Sequence, residues 1–187
     1  MRKLQAIKKQ KFNNIRGFIE ENSVGLEIGV WHGDMMEQVL EKCKPKKYYG
    51  VDPWKYQPEY KDRVYGTNDK NQKFLDDVHE FVIERTVKYP EIDINIIRDY
   101  SEKITNYVEK NELDWAYIDG NHSYEYVLQD LESCLQLVKT DGLIICDDYN
   151  TRKQNDNGGT EKAVKEFTQK NNLTFDIKSG HAIIKVT

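Results

Sequence analysis

Cysteine is scarce in this sequence, because only Cys43, Cys134 and Cys146 occur among its 187 residues. Three scattered cysteines form neither a disulfide framework nor a zinc-binding pattern, so we expect a reducing, cytoplasmic setting. The sequence has no apolar run close to the roughly 20 residues that span a membrane. Its basic amino terminus also lacks the apolar core of a signal peptide. These absences predict a protein with no membrane span.

An excess of positive charge is also missing. The chain has 28 lysines and arginines against 32 aspartates and glutamates, which gives a net charge of -4. Because no general basic field surrounds such a chain, we do not expect it to bind nucleic acid. Hydrophobic residues make up 38% of the sequence, and a chain of this length can bury one substantial core. We therefore expect a single domain over residues 1–187.

The chain is organised around the segment VGLEIGVWHG, residues 24–33. A short apolar run leads into Gly29 and Gly33, and a helical pattern follows, so the segment predicts a strand, a tight turn and a helix. Glycine permits positive φ and lets a ligand approach the backbone, which suits a nucleotide-like molecule at the end of a strand. Glu27 would help to hold a cationic group there. A dinucleotide-binding turn is the alternative, but its fingerprint requires glycine where Glu27 stands.

Strand and helix patterns alternate along the rest of the chain. They predict an α/β fold with a mostly parallel seven-stranded sheet, an antiparallel last strand and helices on both faces. We expect helices over residues 3–21, 34–43, 71–88, 102–110, 123–138 and 160–170, and strands over residues 24–28, 47–51, 92–97, 113–118, 143–146, 173–177 and 182–186. The last two strands are expected to form a hairpin.

The first predicted helix carries Lys8, Lys9 and Lys11, which we expect to lie largely on its solvent face. The alternative is that these lysines lie near an acceptor that bears a phosphate. Two irregular stretches, residues 53–69 and 149–159, are expected to be active-site loops. Asp52 follows the second predicted strand, directly before the first of these loops and 25 residues after Glu27. An acid in that place can accept hydrogen bonds from ribose hydroxyls, although it could also only cap a turn.

Two motifs carry a resemblance to a known family. The residues E-I-G-V-W-H-G resemble motif I, E/D-x-G-x-x-x-G, of the class I S-adenosylmethionine-dependent methyltransferases. Residues 114–150 resemble the D-x-x-x-I-D-G-x-H-x-Y-x-x-V-x-x-D-L pattern of a small D-G-x-H subfamily associated with sugar, polysaccharide and antibiotic O-methylation. In the later G-G-x-I-x-x-D-D part of that pattern, Asp141 replaces the first glycine.

The resemblance implies a Rossmann-like class I methyltransferase fold and the cofactor S-adenosylmethionine, with S-adenosylhomocysteine as the product. It implies O-methylation of a sugar, nucleotide sugar or glycan-related small molecule, in carbohydrate biosynthesis. The residues that it assigns to cofactor binding are Glu27, Gly29, Val30, Gly33, Asp52, Asp99, Ser101 and Asp119.

Three acids follow two neighbouring strands of the predicted sheet. Asp119 ends the fourth strand, and Asp147 and Asp148 end the fifth. Because the carboxyl ends of neighbouring parallel strands meet at one crevice, the three carboxylates would repel one another. A divalent cation would remove that conflict, and oxygen ligands suit Mg²⁺, Mn²⁺ or Ca²⁺. We therefore expect a metal site here, most simply for Mg²⁺ or Mn²⁺. The alternative is that the acids only order their loops.

Methyl transfer is an in-line displacement that depends on alignment of the donor, the methyl group and the acceptor oxygen. A sugar hydroxyl is a poor nucleophile until its proton is removed. His122, three residues after Asp119, could take that proton, while a metal orients the hydroxyl. We therefore expect His122 and Asp119 to be catalytic.

Three other functions remain open from the sequence. A metal-independent methyltransferase could act on a phenolic or phosphorylated metabolite. A non-catalytic subunit could keep the cofactor fold without turnover, and a nucleotide-dependent oxidoreductase is the third alternative. Because 187 residues leave little room for a separate acceptor domain, a homo-oligomer could complete the acceptor pocket.

Overall fold

A computed structural model describes residues 10–61, 65–67, 69–150 and 158–187. The strands are β1 (Val24–Ile28), β2 (Lys47–Val51), β3 (Asp93–Ile97), β4 (Leu113–Ile118), β5 (Val138–Cys146), β6 (Phe175–Lys178) and β7 (His181–Lys185). The helices are α1 (Asp34–Cys43), α2 (Gln72–Thr86), α3 (Tyr124–Leu137) and α4 (Gly159–Lys170). Residues 10–15 are also helical, and short 3₁₀ helices cover Arg16–Phe18 and Ser101–Asn106.

The seven strands form one sheet in the order β3-β2-β1-β4-β5-β7-β6. Strands β1 to β5 run parallel to one another, and β7 runs antiparallel to both β5 and β6. This arrangement confirms the predicted fold class. The chain moves outward from β1 to β3 and then returns to place β4 on the other side of β1. In open α/β sheets such a reversal leaves a crevice at the carboxyl ends of the strands, where ligands bind.

Apolar side chains cover both faces of the sheet, which confirms the prediction of helices on both sides. On one face, Val127 and Leu131 of α3 and Phe167 of α4 pack against the sheet. On the other face, helices α1 and α2 pack together with the segment that contains Phe12 and Ile15. The strands are therefore buried on both sides, as expected for a largely parallel sheet.

Local turn chemistry explains several element boundaries. Asn71 caps α2, because its side-chain oxygen accepts a hydrogen bond from the amide of Phe74 at 2.9 Å. Ser179 and Gly180 join β6 to β7 with φ of 50° and 87°. Two residues with positive φ form the tight turn that suits the twist of a hairpin. The predicted hairpin is thus present.

The largest differences from the predicted boundaries concern β5 and the segment after β3. Strand β5 begins at Val138 rather than at residue 143, because the chain leaves α3 directly in an extended conformation. The predicted helix over 102–110 is a 3₁₀ helix that ends at Asn106. Parts of the predicted first helix (3–9) and of the two predicted loops (62–64, 68 and 151–157) lie outside the described residues. Among the described helices, none is long and apolar enough to cross a membrane.

Candidate functional site

The turn after β1 lies against the end of β4. Gly29 has φ of 93°, and a Cβ atom at this position would lie only 2.4 Å from the backbone oxygen of Asp119. Gly33 has φ of 74° and precedes α1. Glycine is therefore required at position 29 for two reasons, the backbone conformation and the close approach of the neighbouring strand. The structure thus brings the two motifs of the sequence together at one point.

Two carbonyl groups of this turn are held by side chains from elsewhere in the chain. The buried indole of Trp54 donates a hydrogen bond to the carbonyl oxygen of Trp31 at 2.9 Å. Arg85 of α2 donates to the carbonyl oxygen of His32 at 2.7 Å, and its guanidinium also binds Asp34 and Glu37 of α1. These contacts fix the path of the turn from outside the motif.

Neither Trp54 nor Arg85 was predicted to be a functional residue. Arg85 was visible only as part of the helical period of α2, and Trp54 only as one of several loop aromatics. Val30, a predicted cofactor residue, has a buried side chain that packs in the core. Only its backbone is therefore suited to contact a ligand.

Glu27 and Asp52 are both buried at the carboxyl ends of adjacent strands. The hydroxyl of Tyr48 donates a hydrogen bond to Glu27, and burial together with this carboxylate raises the pKa of Tyr48 well above its usual value. Asp52 accepts hydrogen bonds from the amides of Trp31 and Trp54 at 2.9 and 3.0 Å. Both acids thus lie where the sequence predicted cofactor contacts.

Tyr65 contacts Asp52 in a way that the sequence did not predict. Its hydroxyl lies 2.8 and 2.6 Å from the two carboxylate oxygens of Asp52. Burial, followed by the charge of Asp52, raises the pKa of Tyr65 well above its usual value. A neutral tyrosine hydroxyl therefore donates to the same oxygens that ribose hydroxyls would need.

Asp99 and Ser101 follow β3, next to the end of β2. Asp99 accepts hydrogen bonds from the amide of Tyr100, from Lys103 and from Tyr107. Its carboxylate therefore binds groups of its own segment. Ser101 is hydrogen-bonded to Asp130 of α3, a buried acid whose pKa burial raises to about 7. Asp130 was not among the predicted site residues, although it occupies the D-L position of the second motif.

Asp119, Asp147 and Asp148, here called the acidic cluster, converge as predicted. The amide of Asp147 donates to the carbonyl of Ile118 at 2.9 Å, which aligns the ends of β4 and β5. All three carboxylates face the ammonium nitrogen of Lys11. The Nζ atom contacts Asp147 directly and lies 3.7 Å from Asp119 and 3.6 Å from Asp148.

The position of Lys11 corrects the prediction that this lysine lies on a solvated face, since only 20% of its side chain is exposed. Lys8 and Lys9 lie outside the described residues. Burial alone would lower the pKa of Lys11, but the three carboxylates raise it above its usual range. Lys11 therefore carries a positive charge at the centre of the acidic cluster.

Two histidines border the acidic cluster. His122 Nε2 lies 3.6 Å from Asp119 and 3.7 Å from Asp148. His181 of β7 is 1% exposed, with Nε2 at 3.1 Å from Asp147 and Nδ1 at 3.2 Å from the carbonyl oxygen of Lys178. Although burial alone would raise it, contacts that include His181 and Lys11 hold the pKa of Asp147 below its usual range. His181 was not predicted to be a site residue, because it lies in a short strand without a motif.

The predicted metal site does not fit this arrangement. Within the described ranges, no group of three or more histidine, cysteine or acidic residues is arranged to hold a metal ion. The point that the three carboxylates share is instead filled by the ammonium group of Lys11. The ammonium group of Lys11 thus compensates the three carboxylates, a role that was predicted for Mg²⁺ or Mn²⁺.

The fold and the glycine turn define a class of Rossmann-like proteins with a ligand crevice at the carboxyl ends of β1, β2 and β4. Within this class, a family model described as "Methyltransferase domain" matches residues 26–149. The chain therefore belongs to this methyltransferase family.

An uncharacterized protein of Acanthamoeba polyphaga mimivirus is 24% identical over 134 residues. The match covers 71% of this chain and 54% of that protein, so the chain spans about half the length of the curated relative that it matches.

Solved structures share the fold at low sequence identity. The O-methyltransferase NovP is 18% identical with a TM-score of 0.62, covering 99% of this chain and 80% of NovP. An rRNA methylase from Streptococcus thermophilus is 13% identical with a TM-score of 0.59, covering 95% of each chain. A Streptococcus mutans protein in complex with SAH is 12% identical with a TM-score of 0.59, covering 94% of each chain.

Proposed function

We propose that this protein transfers a methyl group from S-adenosylmethionine to a hydroxyl of a sugar, nucleotide sugar or glycan-related small molecule. The observation that carries the proposal is the contact between the turn at Gly29 and the backbone of Asp119. This contact joins a turn suited to a nucleotide-like cofactor with a loop that bears a histidine. Membership of the methyltransferase family supports methyl transfer.

In this proposal the cofactor lies across the ends of β1 and β2. Glu27 offers a buried carboxylate to the cationic amino-acid portion of the cofactor, and the turn at Gly29 lets the ligand approach the backbone. Asp52 accepts hydrogen bonds from the ribose hydroxyls. The Streptococcus mutans protein that binds SAH shares this fold, which supports a cofactor site at the same sheet edge.

His122 is the proposed base. As the acceptor oxygen attacks the methyl carbon, the O–C bond forms and the S–C bond breaks. The hydroxyl proton passes to the imidazole of His122, and neutral S-adenosylhomocysteine leaves. The carboxylates of Asp119 and Asp148, at 3.6 and 3.7 Å from Nε2, are close enough to stabilise the resulting positive charge. General-base catalysis of this kind contributes roughly 10²–10⁴-fold to a rate.

The acceptor class is supported by the chemistry of the residues near His122. Carboxylate oxygens accept hydrogen bonds from several hydroxyls at once, which favours a polyhydroxylated acceptor. The net charge of -4 still predicts that the acceptor is not a nucleic acid. Because the shared fold extends to an rRNA methylase, RNA belongs in the set of acceptors to be tested.

The proposal is tested first by calorimetric titration of S-adenosylhomocysteine into the protein. We expect saturable binding that weakens in Glu27→Gln, and the exposed Glu84→Gln serves as a control of equal charge change. A folded wild type that does not bind S-adenosylhomocysteine would overturn the proposal.

Transfer is then measured with methyl-labelled S-adenosylmethionine and a panel of nucleotide sugars, a catechol, a sugar phosphate and RNA. We expect label in a nucleotide sugar or related glycan, and about 10²-fold or greater loss of rate in His122→Gln with cofactor binding retained. Label in RNA or only in the catechol would refute the acceptor class. Binding without any transfer would favour the non-catalytic subunit.

A further inference from the structure

The acidic cluster presents an electrostatic problem that the fold must solve. Asp119, Asp147 and Asp148 all have an oxygen atom close to one point, and their side chains are only 5, 2 and 12% exposed. Like charges at such separations repel strongly where water is largely excluded. The cluster therefore requires a cation in the folded protein.

Nitrogen atoms of the chain itself surround these carboxylates. Asp147 faces Lys11 and His181, while Asp119 and Asp148 each face Lys11 and His122. Within the described part of the chain, Lys11 is a side chain that faces all three acids. Its ammonium group is thus the central cation of the cluster, and the two histidines lie at its border.

The local helix explains why Lys11 lies here. Phe12 and Ile15 are 2% and 1% exposed and belong to the core on the same face of the sheet as α1 and α2. Lys11 and Ile15 are four residues apart in the helical segment, so their side chains share a face of the helix. Burial of Ile15 against the sheet therefore turns Lys11 toward the strand ends.

We infer that Lys11 is the resident cation of the acidic cluster, and that its ammonium group takes the place of a divalent metal, which the cluster binds only when Lys11 is removed. A metal that bound the wild type would have to expel an ammonium group from three carboxylates. The lost charge contacts offset the gain from metal coordination. The carboxylates are not arranged to hold a metal while Lys11 lies between them. Their oxygen atoms nevertheless lie within 3.7 Å of the point that the ammonium nitrogen occupies. Without the lysine, rotation of these side chains can bring their oxygen atoms to Mn²⁺ or Mg²⁺, which prefer such ligands.

The test uses Mn²⁺ alone, measured by the loss of the free-ion signal in electron paramagnetic resonance. We expect no stoichiometric binding to the wild type, and one site in Lys11→Met that is about tenfold or more tighter than any wild-type binding. Lys73→Met is the matched control. Lys73 is an exposed lysine paired with Asp77, so this substitution removes the same charge at a distant place. It should bind as the wild type does.

A second set of variants keeps the test decisive if Lys11→Met is poorly folded. Lys11→Gln also removes the charge but retains a polar side chain, and it should gain the same Mn²⁺ site. In either variant, Mn²⁺ should raise the melting temperature, because a ligand that binds only the folded state stabilises it. The gained site should disappear when Asp147→Asn is added.

Two results would overturn the inference. One is stoichiometric Mn²⁺ binding by the wild type that Asp147→Asn abolishes. The other is a folded Lys11→Gln variant that gains no site. Neither result depends on methyl transfer. The inference can therefore be refuted while the proposed function is supported, and the proposed function can be refuted while the inference is supported. A further consequence, that transfer by the wild type persists in EDTA, rests on the proposed function.

Discussion

The contact between the two motifs can be tested by comparing Gly29→Ala with Gly180→Ala. The two glycines have φ of 93° and 87°, so alanine meets a similar backbone penalty at both positions. For an L-residue this penalty is about 1–2 kcal/mol. Apart from its chain neighbours, none of the described residues has a heavy atom within 4 Å of a Cβ atom added at Gly180, whereas at Gly29 the Cβ atom would lie 2.4 Å from the backbone oxygen of Asp119. The pair therefore separates the steric contact from the backbone strain.

The overlap at Gly29 must be relieved by movement of backbone, because neither partner is a flexible side chain. Overpacking of this kind typically costs about 1–3 kcal/mol. We therefore expect Gly180→Ala to lower the free energy of unfolding by about 1–2 kcal/mol and Gly29→Ala by about 2–5 kcal/mol. Urea titration followed by circular dichroism measures both values. Calorimetry should show weaker binding of S-adenosylhomocysteine only in Gly29→Ala. Equal losses of stability in the two variants would refute the proposed contact.

Three further predictions concern single side chains. Arg85→Met should lower the free energy of unfolding by about 3–5 kcal/mol, because it removes the buried cation that Asp34 and Glu37 share. Glu37 keeps its contact with the exposed Lys88, whereas Asp34 loses the guanidinium. In urea titration the control Lys73→Met should change the free energy of unfolding by less than about 0.5 kcal/mol, and similar losses in the two variants would contradict the ion-pair network. Tyr65→Phe should tighten binding of S-adenosylhomocysteine by about 2- to 10-fold in calorimetry, since one net hydrogen bond to Asp52 no longer competes; weaker binding would show that Tyr65 supports the site. Burial raises the pKa of Asp130 to about 7, so the folded state binds more protons than the unfolded state between about pH 4 and 7. The contribution of Asp130 to stability is therefore present at low pH and is lost as the pH rises to 7. In thermal melts Asp130→Asn should gain stability relative to the wild type between pH 5 and pH 8, and a constant difference would refute this assignment.

The fold was predictable because its signals are local. Apolar runs bounded by turn residues give the strands, and the helical period of residues 34–43 gives α1 with the observed bounds. The start of β5 was not predictable from this pattern, because Lys139, Thr140 and Asp141 interrupt its apolar run. Backbone pairing extends the strand there, and the amide of Asp141 donates to the carbonyl of Val186 at 2.8 Å.

The site was only partly predictable, because its partners are distant in the sequence. Parallel strand ends placed the acidic cluster and Glu27 correctly at one edge of the sheet. The role of Lys11 was not predictable, because in the sequence it is one of several lysines on an amphipathic helix. Its contact with Asp147 joins residues 136 positions apart, and no local pattern specifies such a pair. The contact of Tyr65 with Asp52 was not predictable either, because Tyr65 is one of several aromatic residues in its loop.

The acidic cluster draws on both extremes of the described chain. Lys11 comes from the helical segment before β1, and His181 comes from the strand that is inserted between β5 and the sheet edge. During synthesis, His181 leaves the ribosome 170 residues after Lys11. A nascent chain that has not yet emerged to β7 cannot complete the surroundings of Asp147. The surroundings of Asp147 are therefore complete only after β7 has joined the sheet.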